Sequence, residues 1–265
     1  MDRSLLPFYI YLRKLLSGRG LKKISIIQNV DKSIKNRFWS DYIMTTDGIK
    51  MHLVKGGGDS IELSTFGNYE QGETELVKKE IKKGDIVVDV GASVGYYTLL
   101  FAKLAGETGK VYSFEPDKDK FLALQKNVVL NSFSNIILEN KFISDKTERK
   151  DNNVYVSLDD YFSNNIERID LIKMDIEGAE KAAIKGMIKI LKNNKNIKLI
   201  TEFHTSELKK FGAEPLQFLY DLRNLGFSIF NISEKDHSIN IITNEELLLK
   251  YPKTEVFTNI LCKRQ

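Results

Sequence analysis

The stretch Ile86-Val87-Val88-Asp89-Val90-Gly91-Ala92-Ser93-Val94-Gly95-Tyr96 decides the reading of this chain. It opens as a short β-branched apolar run, which suits a strand buried on both faces. It closes on two glycines four residues apart and runs into Tyr97-Thr98-Leu99-Leu100-Phe101-Ala102-Lys103-Leu104, a helix that halts at Gly106. Strand, glycine turn and helix start together make a cradle for a nucleotide-like ligand. Glycine lets the backbone come close, and the unpaired N–H groups of the first helical turn face the ligand. A dinucleotide fold would show G-x-G-x-x-G at this point. Here the pattern is G-x-x-x-G, with Tyr96 where the third glycine would stand.

Downstream the strands and helices alternate. Lys110–Glu115, Asn135–Glu139, Val154–Leu158, Asp170–Asp175 and Ile197–Phe203 read as strands, and Gly226–Ile232 and Val256–Cys262 close the chain. Helices are expected after Pro116-Asp117, from Ala179 to Leu191, and after Glu214-Pro215 with proline at the first position. Thr243-Asn244-Glu245-Glu246 has the capping-box pattern. This is an α/β chain with a mostly parallel sheet and an antiparallel hairpin at one edge.

Upstream, residues 3–20 read as a helix packed on its own domain or on a partner subunit, which a homodimer would supply. Contact with an anionic membrane is the less favoured reading. Tyr42–Met44 and Ile49–Leu53 flank Asp47-Gly48, a pair that favours a type I′ hairpin turn. Gly56-Gly57-Gly58 then marks a seam, so residues 1–60 read as an arm and 61–265 as the main domain.

The 265 residues carry 40 basic and 36 acidic side chains. A net charge of +4 is too mild to point to nucleic acid. The single cysteine, Cys262, rules out an internal disulfide framework and fits a reducing setting. With no apolar run of ~20 residues and no visible leader, a cytoplasmic location is expected.

In an open α/β sheet the ligand sits outside the carboxyl ends of the strands, where strand order reverses. That rule selects Asp89 to Gly95, Glu115, Asp145, Asp175 to Glu177 and Glu202 to His204. Glu115 stands 20 residues past Gly95 at a strand end, where a carboxylate can accept both ribose hydroxyls. Asp89 can hold the loop or meet a cationic ligand group. Both acids oppose phosphate, so a nucleoside with a cationic or zwitterionic tail fits better than a nucleotide.

Asp89–Tyr96, Phe114-Glu115-Pro116, Ser157–Tyr161 and Ile172–Glu180 resemble, in order and spacing, the FkbM-type S-adenosylmethionine-dependent methyltransferases. The resemblance runs from about Tyr69 to Cys262. It implies a Rossmann-like class I fold, seven-stranded with a reversed last strand. It also implies methyl transfer to a hydroxyl of a sugar, glycan or other small metabolite. Gly91, Ala92, Ser93, Gly95 and Tyr96 would then line the cofactor, with Glu115 and Pro116 at its ribose and Asp145 toward adenine. Tyr69, Glu70 and Glu73 match a segment lying across that pocket, where Glu70 would join the cofactor residues.

Methyl transfer from a sulfonium needs acceptor oxygen, methyl carbon and sulfur in line, and a base for the hydroxyl proton. Asp175, Glu177, Glu202 and His204 are the candidates. The carboxylates can alternatively hold a divalent metal, which is not expected, and His204 can equally be structural. RNA methylation and a non-catalytic protein keeping the fold are the rival readings.

Overall fold

The computed structural model describes residues 41–54, 60, 62–64, 67–163, 168–251 and 257–264. The expected helix at 3–20 and the Gly56-Gly57-Gly58 seam lie outside the described residues. The chain divides into two compact units, Met1–Tyr69 and Glu70–Gln265.

In the first unit, β1 (Tyr42–Met44) and β2 (Lys50–His52) pair antiparallel with Ile43 opposite Met51. The hairpin is as expected, but its turn is not type I′. That turn needs positive φ at both central residues, and in this loop only Gly48 has it, at 73°. Gly48 N–H donates to Thr45 O at 2.9 Å and Thr45 N–H to Ile49 O at 2.8 Å. The longer loop leaves Asp47 in ordinary backbone geometry.

The second unit opens with α1 (Gln71–Glu80), β3 (Ile86–Val90), α2 (Tyr96–Ala105), β4 (Lys110–Phe114), α3 (Lys118–Asn131) and β5 (Ile136–Glu139). There follow β6 (Phe142–Ile143), β7 (Glu148–Lys150), β8 (Asn153–Val156), α4 (Leu158–Tyr161) and β9 (Leu171–Met174). The remainder is α5 (Glu180–Lys185), α6 (Ile188–Asn193), β10 (Lys198–Phe203), α7 (Thr205–Lys210), α8 (Pro215–Asn224), β11 (Ser228–Ile232), β12 (Ile239–Ile241), α9 (Asn244–Lys250) and β13 (Thr258–Lys263).

The main sheet runs β12-β11-β13-β10-β9-β3-β4-β5. β10, β9, β3, β4 and β5 are mutually parallel, while β13 is antiparallel to both β10 and β11. The fold is Rossmann-like, as expected, with its last strand reversed. It has eight strands rather than seven because Ile239–Ile241 adds a short antiparallel edge. From β3 the chain steps outward through β4 and β5, then returns to β9 on the other side. Strand order therefore reverses at β3, which puts the ligand crevice beyond its carboxyl end.

Two local features depart from the sequence reading. Residues 142–156 form a separate sheet, ordered β6-β8-β7. Asp151 and Asn152, both at positive φ, turn β7 into β8 as a two-residue hairpin. The helix expected from Ala179 to Leu191 is broken into α5 and α6 at Gly186, where a Cβ would collide with the backbone oxygen of Ser144. The other punctuation matches: Pro215 starts α8, and Thr243 with Glu246 completes a capping box on α9. The core is built on Phe114, Phe203 and Phe218, all essentially inaccessible, with Val87 and Val88 at the centre of the sheet. No described helix is long and apolar enough to cross a membrane.

Candidate active site

The bend after β3 is fixed by close packing. Gly91 has φ +85°, and a Cβ there would overlap the carbonyl oxygen of Asp175 at the end of β9. Gly95, at φ +97°, opens α2 against the Leu124 side chain. The N–H groups of Gly91 and Ala92 both donate to Phe114 O, at 2.9 and 3.0 Å, so the bend hangs on the end of β4. Buried Asn127 donates from Nδ2 to Val94 O at 2.8 Å. Ser93 sits at φ 49°, an uncommon conformation for a side-chain-bearing residue. Its N–H donates to Glu115 Oε2 at 2.7 Å.

Glu115 is 4% exposed, and its other oxygen accepts the Asp117 N–H at 2.8 Å. Burial raises its proton affinity, and the two backbone donors oppose that rise. A carboxylate offers about four acceptor sites, so two N–H bonds leave room for hydroxyl groups. Pro116 is held beside it, because Asn140 Nδ2 donates to both Glu115 O and Pro116 O. Asp145 lies beyond β6, exposed, with the Ser144 hydroxyl 3.3 Å away.

Asp89 and Tyr96 are turned into the fold. Asp89, 1% exposed, accepts the Thr98 hydroxyl at 2.6 Å, and Thr98 Oγ1 lies 3.0 Å from Ser113 Oγ. The acid thereby ties β3 to α2 and, through Ser113, to β4. The Tyr96 hydroxyl pairs with Thr74 of α1 at 3.1 Å.

Sequence reasoning passed over Lys173. It sits in the middle of β9 at 3% exposure, with Nζ 3.4 Å from Asp175 Oδ2, 3.7 Å from Glu73 Oε1 and 4.5 Å from the Tyr97 ring centre. Burial opposes its charge, but Glu73, Asp175, Glu70 and Asp89 together outweigh burial and hold it well above the usual lysine range. Glu73, wholly buried, is pushed up to about 7 by burial despite Lys173, and Glu70 is raised for the same first reason. Glu234 accepts the N–H groups of Gly72 and Glu73, at 2.9 and 3.0 Å, and so caps the start of α1. The signal was a lysine in a strand otherwise written for burial on both faces, which demands a charged partner.

The base candidates gather at the ends of β9 and β10. Thr201 pairs with Met174, so Glu202 and Asp175 follow side by side. Burial, then Asp175 and Glu180, push the Glu202 carboxyl up to about 8. Glu177 is exposed at φ 52°. Glu180 braces this turn by accepting the N–H groups of Ile176 and Gly178, both at 3.2 Å. His204 is half-buried, with Nδ1 3.0 Å from Ser206 Oγ and its ring stacked on Phe257 at 5.9 Å. Among the described residues no three of His, Cys, Asp and Glu are disposed to hold a metal ion.

The crevice end of the sheet thus carries Asp175, Glu202 and Glu115, with Glu70 and Glu73 around Lys173, the one buried lysine or arginine among the described residues. Such a site fits a ligand with ribose hydroxyls and a positively charged tail, and opposes phosphate.

Residues 139–229 match the model of the methyltransferase FkbM domain. No curated protein matches the chain. Among solved structures, a candidate rRNA-methylase from Clostridium thermocellum is 14% identical, with TM-score 0.51, covering 73% of this chain and 93% of its own. A candidate methyltransferase from Streptococcus mutans, in complex with SAH, is 14% identical with TM-score 0.49, covering 74% and 97%. An S-adenosylmethionine-dependent O-methyltransferase from Thermotoga maritima is 14% identical with TM-score 0.46, covering 84% and 77%. At 14% identity the likeness to the Clostridium thermocellum structure is one of fold alone. Residues 139–229 of the chain are thus similar to the methyltransferase FkbM domain, and the chain has the Rossmann-like fold that it shares with the Clostridium thermocellum structure.

Proposed function

We propose that this methyltransferase moves the methyl group of S-adenosylmethionine to a hydroxyl oxygen of a sugar, glycan or similar small metabolite. The observation that carries the reading is the bend Gly91–Gly95, fastened to Glu115 through the Ser93 N–H and facing an acidic mouth with little positive charge. When bound, the cofactor supplies an electrophilic methyl on a sulfonium, so a modest base suffices.

The chain's own residues then divide the work. Gly91, Ala92, Ser93 and Gly95 admit the nucleoside close to backbone, while Glu115 accepts the ribose hydroxyls on its remaining lone pairs. Pro116 and Asp145 flank the adenine side. Glu70 and Asp175 give the cationic tail a negative surround, and Asp89 and Tyr96 hold the cradle from behind. Glu202, its carboxyl pushed up to about 8, is a strong proton acceptor in its ionised form and takes the hydroxyl proton as pH rises toward and above that value. Asp175 and Glu177 can orient the acceptor through its other hydroxyls, and His204 is the alternative base. An acidic mouth favours a neutral polyol over RNA, whose phosphates it would repel.

The test is transfer of a radiolabelled methyl from S-adenosylmethionine to a panel of monosaccharides and glycans, run beside total RNA. Alkali-stable label in saccharide is the expected result. Label confined to RNA would contradict the acceptor class.

A further inference from the structure

Lys173 is out of keeping with its strand. The residues of β9, Leu171–Met174, are all buried, and the pairing with β3 and β10 leaves no solvent edge for an ammonium group. The charged and titratable groups around it come from four elements: Glu70 and Glu73 with α1, Asp89 on β3, Tyr97 on α2, and Asp175 just past its own strand. Four carboxylates therefore share one cation. Well-packed apolar residues can often replace a buried ion pair without loss of stability. The Asp175 carboxylate it touches reaches the mouth, with its side chain about a third exposed. Glu73 lies behind, inaccessible, with Oε1 3.7 Å from the Lys173 ammonium.

We propose that Lys173 is a positioning residue for the transfer mouth: its buried ammonium, set over Tyr97 and beside Glu73, orients the Asp175 carboxylate and supplies the positive charge against which a further mouth acid can ionise. That further acid is Glu202, which lies beside Asp175 across the β9–β10 pairing, while Lys173 Nζ stands 3.4 Å from Asp175 Oδ2. Glu73 belongs to α1 and Glu202 to β10, so the two halves of the buried Lys173–Glu73 pair can be varied separately. The catalytic meaning of this arrangement rests on the methyl-transfer reading, but the arrangement itself is read on the protein alone.

The experiment is a pH titration of the full chain labelled with [13C]carboxyl glutamate. The Glu202 resonance is assigned by its loss in Glu202→Gln. Lys173→Met alone strands Glu73 in the interior, so the variant of choice is Lys173→Met with Glu73→Gln, which removes the pair together. Its Glu202 midpoint should rise by about 0.5 pH unit or more, while Lys173→Arg and Glu73→Gln alone stay near the wild-type midpoint. An unchanged midpoint in a folded double variant overturns the proposal, as does a full shift in Glu73→Gln alone. Failure of the double variant to fold also counts against it, because Lys173 would then be structural. None of these readouts depends on donor or acceptor, so failure of the methyl-transfer reading would be recognised separately.

Discussion

Glu115 Oε2 accepts the backbone N–H of Ser93 at 2.7 Å, and that bond ties the acid at the end of β4 to the bend at the end of β3. The same carboxylate also accepts from Asp117, where α3 begins. Glu115→Ala removes the acceptor from both N–H groups. It should cost about 1–3 kcal/mol in urea unfolding, and an unchanged midpoint would mean that water replaces the carboxylate at no cost.

Gly91 and Gly95 should respond differently to alanine. At Gly91 the new Cβ meets a backbone carbonyl that cannot yield, and φ is positive, so a loss of about 4 kcal/mol or more is expected. At Gly95 the obstacle is the Leu124 side chain, which can change rotamer, and about 1–3 kcal/mol should be lost. Thermal melts of the two variants should rank in that order.

The Asp89–Thr98–Ser113 chain of hydroxyls gives a third test. Thr98→Val keeps the shape but takes from buried Asp89 its 2.6 Å donor. About 1–3 kcal/mol of stability should go, with little change in ligand affinity, since the acid faces the fold. A large loss of affinity with unchanged stability would place Asp89 in the ligand site instead.

Glu202 makes stability depend on pH. Its proton is held to about 8 in the folded chain, against an ordinary value of 4.5. Between those values the folded state binds more protons than the unfolded one, so this group makes stability fall as pH rises. Glu202→Gln removes that slope. The melting temperature of the variant relative to wild type should therefore climb from pH 5 to pH 9, and a flat difference would refute the burial of the charge.

The parallel sheet, the glycine bend and the acid at the end of β4 were legible because each rests on local pattern: apolar runs, glycine spacing, a carboxylate at a strand end. The helix break at Gly186 was not, because the close approach of the Ser144 backbone that excludes a side chain there comes from a residue distant in sequence. The hairpin at Asp151-Asn152 was legible in principle, since both residues tolerate positive φ and its second strand reads as one, but its first strand, Glu148–Lys150, lacks the apolar alternation that marks a sheet. Lys173 was overlooked for a related reason. Its partners Glu70, Glu73 and Asp89 come from other elements, so only the improbability of a lysine in a buried strand pointed to them.

The proposed function requires that the bend and Glu115 together hold the nucleoside of the methyl donor. Calorimetric titration of wild type, Glu115→Gln and Glu115→Ala with S-adenosylhomocysteine tests it most directly. Saturable one-to-one binding to wild type, weakened tenfold or more in Glu115→Ala, about 1.4 kcal/mol, is the predicted result. Equal affinity in all three folded proteins would contradict it.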